Sequence, residues 1–286
     1  MTKESGMSSS NLKVVGVVGD PISHSLSPRV HSYWLKKYNI PGEYVPFHIT
    51  KNELPSFIAS IKGNNIMGLN LTVPHKESVI KLVDEVDASA KKIGAINTIY
   101  FDDKNRTIGS NTDGHGFLKH LKSSSLAWRV DNSSTAIIGA GGAARAAIVS
   151  LLDAGVPEIR LINRTQERAV NLAGTIDDIR IKVTSWDHRE EALIGIKLLV
   201  NVTTLGMIDQ PPLELSLDKL PKDAAVYDIV YNPIETELIK QARARGNKTV
   251  DGLGMLLHQA AAAFKIWFGV DPEVDEGLRN HVLKVL

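Results

Sequence analysis

The stretch Thr135-Ala136-Ile137-Ile138-Gly139-Ala140-Gly141-Gly142-Ala143-Ala144 decides the fold. Its first four residues are small, apolar or β-branched, and suit a short buried strand. Glycines follow at once, and the alanine-rich run from Ala143 to Leu152 reads as a helix. Strand, glycine loop and helix in that order form the phosphate cradle of a dinucleotide site. Gly139 permits the tight turn, Gly141 lets backbone approach a pyrophosphate, and the small Ala144 lets helix and strand lie close. The helix start offers free N–H groups and a positive dipole end. The plainer alternative is a packing contact between small residues.

Downstream, strands are expected at Glu158 to Ile162, Ile179 to Val183, Leu198 to Val200, Val226 to Val230 and Lys248 to Val250, with helices between them. Thr165 is placed to cap a helix running to about Gly174. This alternation predicts a parallel, doubly wound sheet. A site for NAD would carry an acid at the end of the second strand to hold the ribose hydroxyls. Here Asn163-Arg164-Thr165 stands there, with Arg168 one helical turn on. Two guanidinium groups and a hydroxyl suit a 2′-phosphate, so the expected cofactor is NADP.

Upstream, strands are expected at Val14 to Val18, Glu43 to His48 and Ile66 to Leu71, and a strand pair at Thr98 to Phe101 and Thr107 to Gly109. Helices are expected from Pro28 to about Tyr38, from Glu53 to Ile61 capped by Asn52, around Glu77 to Val83, from Ala88 to Ile93, and from Gly114 to Leu121 after Asp113. The strand ending at Leu71 is expected to run through a loop into a helix beginning near Pro74, which suits a first helical position. Composition shifts at Ser123 to Ser125 and at Asp131 to Ser134, which marks the best domain boundary. Leu253 to Phe268 and Pro272 to Leu286 read as terminal helices. The predicted fold class is α/β with two domains.

Bulk properties exclude several functions. The 286 residues are 43% apolar and 23% charged, with a net charge of +1, so no basic face points to nucleic acid. No cysteine is present to form a disulfide or ligate zinc. The nine histidines show no metal-binding spacing, and no metal is expected. The most apolar run, Ala260 to Phe268, is interrupted by Lys265 and too short to span a membrane. Residues 1–11 are polar and serine-rich and read as a disordered tail. A cytoplasmic enzyme acting on a small molecule is the expectation.

Candidate chemistry clusters at strand ends. Asn70, Thr72 and Lys76 are delivered to the carboxyl end of a buried strand, where open α/β sheets bind ligands. Ser25 and Ser27, two apart in an extended segment, face one side and could hold a carboxylate without an arginine. Each residue also has an ordinary use: Ser27 and Asp113 as helix caps, Asn97 as a turn residue, Thr72 as a strand residue and Gln259 as a solvated helix residue. A lysine ammonium kept charged by a carboxylate is a suitable proton donor.

Together these pieces resemble the shikimate dehydrogenase family. The resemblance rests on Ser25-Leu26-Ser27-Pro28, Asn70 to Lys76, Gly94 to Thr98, Asn111-Thr112-Asp113-Gly114, Gly139 to Ala144, Asn163-Arg164-Thr165, Tyr227 to Tyr231 and Asp251 to Met255, in the family's order along nearly the whole chain. It implies a substrate domain of residues 12–117 joined by helices in 252–286, an NADP domain of 118–251, and reversible NADPH-linked reduction of 3-dehydroshikimate to shikimate. It implies Lys76 and Asp113 as the catalytic pair. Ser25, Ser27, Thr72, Asn97, Tyr231 and Gln259 match its substrate contacts. Gly139, Ala140, Gly141, Gly142, Ala143, Asn163, Arg164, Thr165, Arg168, Thr203, Ile229 and Gly252 match its cofactor contacts. Ile229 stands where some members have methionine, a neutral change between apolar residues. A monomer or homodimer is expected. The competing readings are a quinate/shikimate dehydrogenase using NAD and a non-catalytic NADP-sensing protein.

Overall fold

The computed structural model describes residues 12–124 and 134–286. The tail at 1–11 and most of the serine-rich boundary lie outside the described residues. The first half builds, in order, β1 (Lys13–Gly19), α1 (Ser27–Lys37), β2 (Gly42–His48), α2 (Leu54–Ser60), β3 (Ile66–Leu71), β4 (Glu85–Val86), α3 (Ala88–Ile93), β5 (Thr98–Phe101), β6 (Thr107–Ser110) and α4 (Asp113–Ser123). The second half builds β7 (Thr135–Ile138), α5 (Gly142–Asp153), β8 (Ile159–Ile162), α6 (Gln166–Ile176), β9 (Ile181–Thr184), β10 (Leu198–Asn201), β11 (Ala225–Asp228), α7 (Glu237–Ala244), β12 (Lys248–Val250), α8 (Leu253–Phe268) and α9 (Glu276–Leu283).

Two sheets result. The first has the order β2-β1-β3-β5-β6-β4. Its strand β1 lies parallel between β2 and β3, with Val15, Val17 and Val18 buried. A strand covered on both faces reads as a continuous apolar run, as Val14 to Val18 does. Beyond β3 the sheet turns antiparallel through the β5–β6 hairpin. The second sheet is wholly parallel, in the order β12-β11-β10-β7-β8-β9. Its strand order reverses between β7 and β10, and that switch point is where a doubly wound sheet binds its ligand.

Several expected elements differ, each for a local reason. Asn52 does not cap α2. The Glu53 carboxylate instead accepts from the Thr50 backbone N–H (2.9 Å) and hydroxyl (2.7 Å), a capping-box arrangement. No α-helix starts at Pro74. The Lys76 carbonyl accepts from the Ile96 backbone N–H at 2.7 Å, which takes it out of a helical ladder, and only a 3₁₀ turn forms at Ser78–Lys81. Between β9 and β10 lie two 3₁₀ turns, and β10 reaches β11 without a helix. Leu213, Leu215 and Leu217 are buried at alternate positions in that connection, the period of an extended strap lying against a sheet. The last helix is only Glu276–Leu283, because Asp275 caps its start, its carboxylate accepting from the Leu278 N–H at 2.7 Å.

Two helices join the halves. Phe117 and Leu121 of α4 enter the core beneath the second sheet, where Phe117 stacks on Tyr227 with ring centres 4.9 Å apart. The expected boundary at 117/118 therefore falls inside a continuous helix. The C-terminal helices return to the first half: Leu253, Leu257 and Phe264 of α8 and Leu278 of α9 share a buried cluster with Val30 and Trp34 of α1. Burying one such side chain stabilises by about 1.5–3 kcal/mol. Helices α4 and α8 meet backbone to backbone at Gly116. A Cβ there would stand 2.6 Å from the Gln259 backbone N and 2.8 Å from the Met255 carbonyl oxygen. Gly116→Ala is expected to push the two helices apart and destabilise the fold by about 1–3 kcal/mol in urea unfolding, the usual cost of overpacking.

Candidate active site

At the first turn of α4, Asp113 is buried and its backbone N–H donates to Asn111 Oδ1 (2.9 Å). Asn111 therefore does the local capping, and the Asp113 carboxylate does not cap the helix. It is spent on two side chains instead. Lys76 Nζ donates to Oδ2 at 2.5 Å and Asn97 Nδ2 donates to Oδ1 at 2.8 Å. The pair is well shielded, with side-chain exposures of 18% for Lys76 and 6% for Asp113. Among the described residues Asp113 is the hydrogen-bond partner of Lys76, which leaves two ammonium N–H groups for a ligand.

Asn97 is the junction of this cluster. Its Oδ1 accepts from the Thr112 backbone N–H (2.8 Å) and from the Thr98 hydroxyl (2.9 Å), which fixes the amide orientation. Its Nδ2 also reaches Thr112 Oγ1 (2.9 Å) and Gln259 Oε1 (3.2 Å). Lys76, Asn97, Asp113 and Gln259, drawn from four separate segments, thus form one bonded cluster. Asn97 is no turn residue and Gln259 is no solvated one: both are buried.

Behind it runs a second row of polar groups whose part the sequence reading missed. Asn70 Nδ2 donates to the Asn97 carbonyl and to Thr98 Oγ1, both at 3.1 Å, and the Tyr44 phenol donates to Asn70 Oδ1 at 2.7 Å. Tyr44 stacks flat on His31, ring centres 4.2 Å apart. Burial raises the Tyr44 phenol, partly offset by the side chain of Ser27. The signal for Asn70 is the strand period, which puts it on one face with Thr72. Tyr44 and His31 carry no such signal, since both read as ordinary core.

The remaining substrate candidates make local contacts of their own. The Ser27 backbone N–H donates to Ser25 Oγ at 3.3 Å, so the serine pair is one local unit. Tyr231 packs on the same apolar cluster as Leu26. Thr72 follows the end of β3, its backbone N–H bonded to the Val18 carbonyl (2.9 Å) and its methyl close to Gly19.

The glycine loop faces this cluster. Gly139 has φ +121°, and a Cβ there would stand 2.9 Å from the Thr203 methyl. A Cβ on Gly142 would be 3.6 Å from Lys76 Cδ, so the start of α5 lies beside the lysine stem. No side chain caps α5 at Gly141, which leaves its first N–H groups open to a ligand. Ala140 and Ala143 are half-buried along the same turn, and Ile229 packs on the core below it. Gly252 backs onto the Ile229 carbonyl. Asn163 Nδ2 donates to the Thr165 carbonyl at 2.8 Å. Thr165 begins α6, but its side chain makes no capping bond, which differs from expectation and leaves the hydroxyl available. Arg164 and Arg168 are exposed and form no ion pair among the described residues.

A parallel dinucleotide-type sheet, facing an α/β domain that carries a shielded lysine–carboxylate pair, defines a two-domain nicotinamide-dependent oxidoreductase. Comparison with known proteins is more specific. Residues 17–99 match the shikimate dehydrogenase substrate binding domain, 121–206 match shikimate / quinate 5-dehydrogenase, and 252–278 match the shikimate 5′-dehydrogenase C-terminal domain. The shikimate dehydrogenase (NADP(+)) of Paramagnetospirillum magneticum is 47% identical over 275 residues, 96% of this chain and 99% of that protein. The crystal structure of shikimate 5-dehydrogenase from Thermus thermophilus with NADP(H) and shikimate is similar at a TM-score of 0.85 and 33% identity, covering 96% of this chain and 100% of that one. Quinate dehydrogenase from Corynebacterium glutamicum in complex with NAD is similar at a TM-score of 0.88 and 30% identity, covering 96% and 99%. The chain belongs to the shikimate dehydrogenase family. Among the described residues no helix is long and apolar enough to cross a membrane.

His31 gives this cluster a pH signature. It is fully buried, neither ring nitrogen has a partner among the described residues, and burial pushes its pKa down to about 3. The unfolded chain binds that proton near pH 6.5, so the stability tied to neutral His31 is complete above about pH 6.5. It is lost progressively as pH falls from there towards 3. Urea unfolding at pH 7.5 and pH 5.0 should show a smaller pH-dependent loss for His31→Phe than for the wild type.

Proposed function

We propose that this chain is an NADP-dependent shikimate dehydrogenase, catalysing the reversible NADPH-linked reduction of 3-dehydroshikimate to shikimate on the route to chorismate and the aromatic amino acids. The observation that carries this reading is the Lys76–Asp113 pair at 2.5 Å, standing beside the glycine loop at Gly142. The names of the relatives support it. Residues 12–117 with 252–286 would form the substrate side and 118–251 the cofactor side.

The residues present fit NADP(H). Gly139, Ala140, Gly141, Gly142 and Ala143 would hold the pyrophosphate on the uncapped start of α5. Asn163, Arg164, Thr165 and Arg168 would hold the adenosine end, with two guanidinium groups, which form no ion pair among the described residues, for the 2′-phosphate. Thr203, Ile229 and Gly252 would line the nicotinamide end. When bound, this cofactor supplies the hydride.

The protein's own groups do the rest. Ser25 and Ser27, with Tyr231, seat the substrate carboxylate. Thr72, Asn97 and Gln259 hold ring hydroxyls. A spare N–H of Lys76 donates to the carbonyl oxygen and delivers the proton it needs, while the bond to Asp113 keeps the lysine aimed. In the reverse direction the lysine amine takes that proton back. Use of NAD is disfavoured because no acid stands at the end of β8, where Asn163 and Arg164 occur. The proposed compartment is the cytoplasm and the proposed assembly a monomer or homodimer, which sedimentation of the purified protein tests.

Lys76→Ala is expected to lower kcat by roughly 10² to 10⁴, the usual size of a general acid–base contribution. Near-normal turnover would reject Lys76 as the proton donor. Arg164→Ala should raise KM for NADP(H) far more than for NAD(H). Equal losses with both would remove it from cofactor selection. Rates with shikimate and quinate, each with NAD and NADP, separate the activity from its relatives, and no turnover with any pair would overturn it.

A further inference from the structure

One buried carboxylate lies outside the chemistry above. Asp228 is the last residue of β11, fully buried, and in register with Asn201, the last residue of β10. Its Oδ1 accepts from Asn201 Nδ2 (3.0 Å) and from the Val230 backbone N–H (3.1 Å). Its Oδ2 accepts from the Thr236 hydroxyl (2.6 Å), whose oxygen in turn caps α7 by accepting from the Ile239 N–H (3.3 Å). All three donors are neutral.

These bonds reach the residues that matter. Asn201 Nδ2 donates to Asp228 (3.0 Å) and to the Leu205 carbonyl (3.2 Å), so Asn201 presents Oδ1 to the Thr203 backbone N–H (3.1 Å) and hydroxyl (2.7 Å). The Thr203 hydroxyl also accepts from the Leu205 N–H (3.1 Å), and its methyl is thereby turned towards Gly139. On the other side, the bond to Val230 pins the backbone between Ile229 and Tyr231. The Ile229 N–H is held by the Asn201 carbonyl (3.0 Å). An acceptor-only group at 228 enforces this pattern. A neutral amide or acid there could donate, and the Asn201 amide would lose the shorter of the two acceptors that hold its orientation, keeping only the Leu205 carbonyl.

We propose that Asp228 is a positioning residue, whose carboxylate sets the two loops carrying Thr203 and Ile229 for NADP(H) binding. The inference rests on the cofactor site proposed above. Burial pushes the Asp228 pKa up to about 6, with the Thr236, Val230 and Asn201 donors opposing that rise. The carboxylate form, and the ordering it imposes, is therefore present above about pH 6 and lost below it.

The test is NADP+ binding by full-length wild type and Asp228→Asn between pH 5 and pH 8. The ligand's own phosphate titrates near pH 6 in both proteins, so the ratio of the two Kd values is the readout. At pH 8 Asp228→Asn should bind about tenfold more weakly, the scale of one lost charge-assisted hydrogen bond. By pH 5 the ratio should approach one. A ratio that stays at one overturns the proposal, and a large ratio independent of pH reduces Asp228 to a structural role. Thr236→Val keeps the carboxylate and removes one donor. It should move the pH midpoint upwards, and an unmoved midpoint counts against the proposal even where Asp228→Asn fails to fold. A wild type that binds NADP+ but turns over no shikimate defeats the proposed activity, while the Kd ratio still decides the role of Asp228.

Discussion

A carboxylate shielded from water is held in place only if donors meet both of its oxygens. That requirement governs the middle of this molecule. Asp113 has one oxygen on Lys76 and the other on Asn97. Asn97 is fixed by Thr98 and Thr112, and Asn70 braces it from behind. The backbone of Lys76 is tied to Ile96. The loop after β3, the start of β5 and the first turn of α4 are therefore not independent pieces. Each is held in place by the need to complete the same ion pair.

The same centre explains the arrangement of the two sheets. Gln259 can reach Asn97 only because α8 crosses α4 at Gly116 without an intervening side chain. That crossing brings the end of the chain back to the first sheet. It leaves α5 with its open N-terminal turn against the stem of Lys76. Packing between apolar faces supplies the stability, and the polar cluster specifies the relative placement.

The parts of this fold that are legible in the sequence are those decided locally. Strand periodicity and the strand, glycine run and helix around Gly139 to Gly142 each carry their meaning within a few residues. The misread parts are decided by distant partners. Pro74 has the right chemistry for a helix start, yet the amide of Ile96 claims the Lys76 carbonyl. The connection from β10 to β11 looks like a place for a helix, but its leucines alternate, and burial against the sheet keeps it extended. Asp113, taken alone, is a cap; only Lys76, 37 residues earlier, gives its carboxylate another use. Tyr44 and Asp228 are silent in sequence because a buried tyrosine and a strand-end aspartate have many ordinary roles.

The crowding around Asn97 has a consequence for molecular discrimination. Its two amide hydrogens already face three acceptors, Asp113, Thr112 and Gln259, and its carbonyl oxygen is engaged by donors. A hydroxyl arriving there trades places with the longest of these bonds, the one to Gln259, and the number of bonds hardly changes. Such an exchange dictates orientation while adding little affinity. It also means that a molecule lacking that hydroxyl leaves no orphaned group behind, so rejection of deoxy compounds at this point is mild. Stringency must come instead from groups with no internal substitute, and the two spare hydrogens on the Lys76 nitrogen are of that kind.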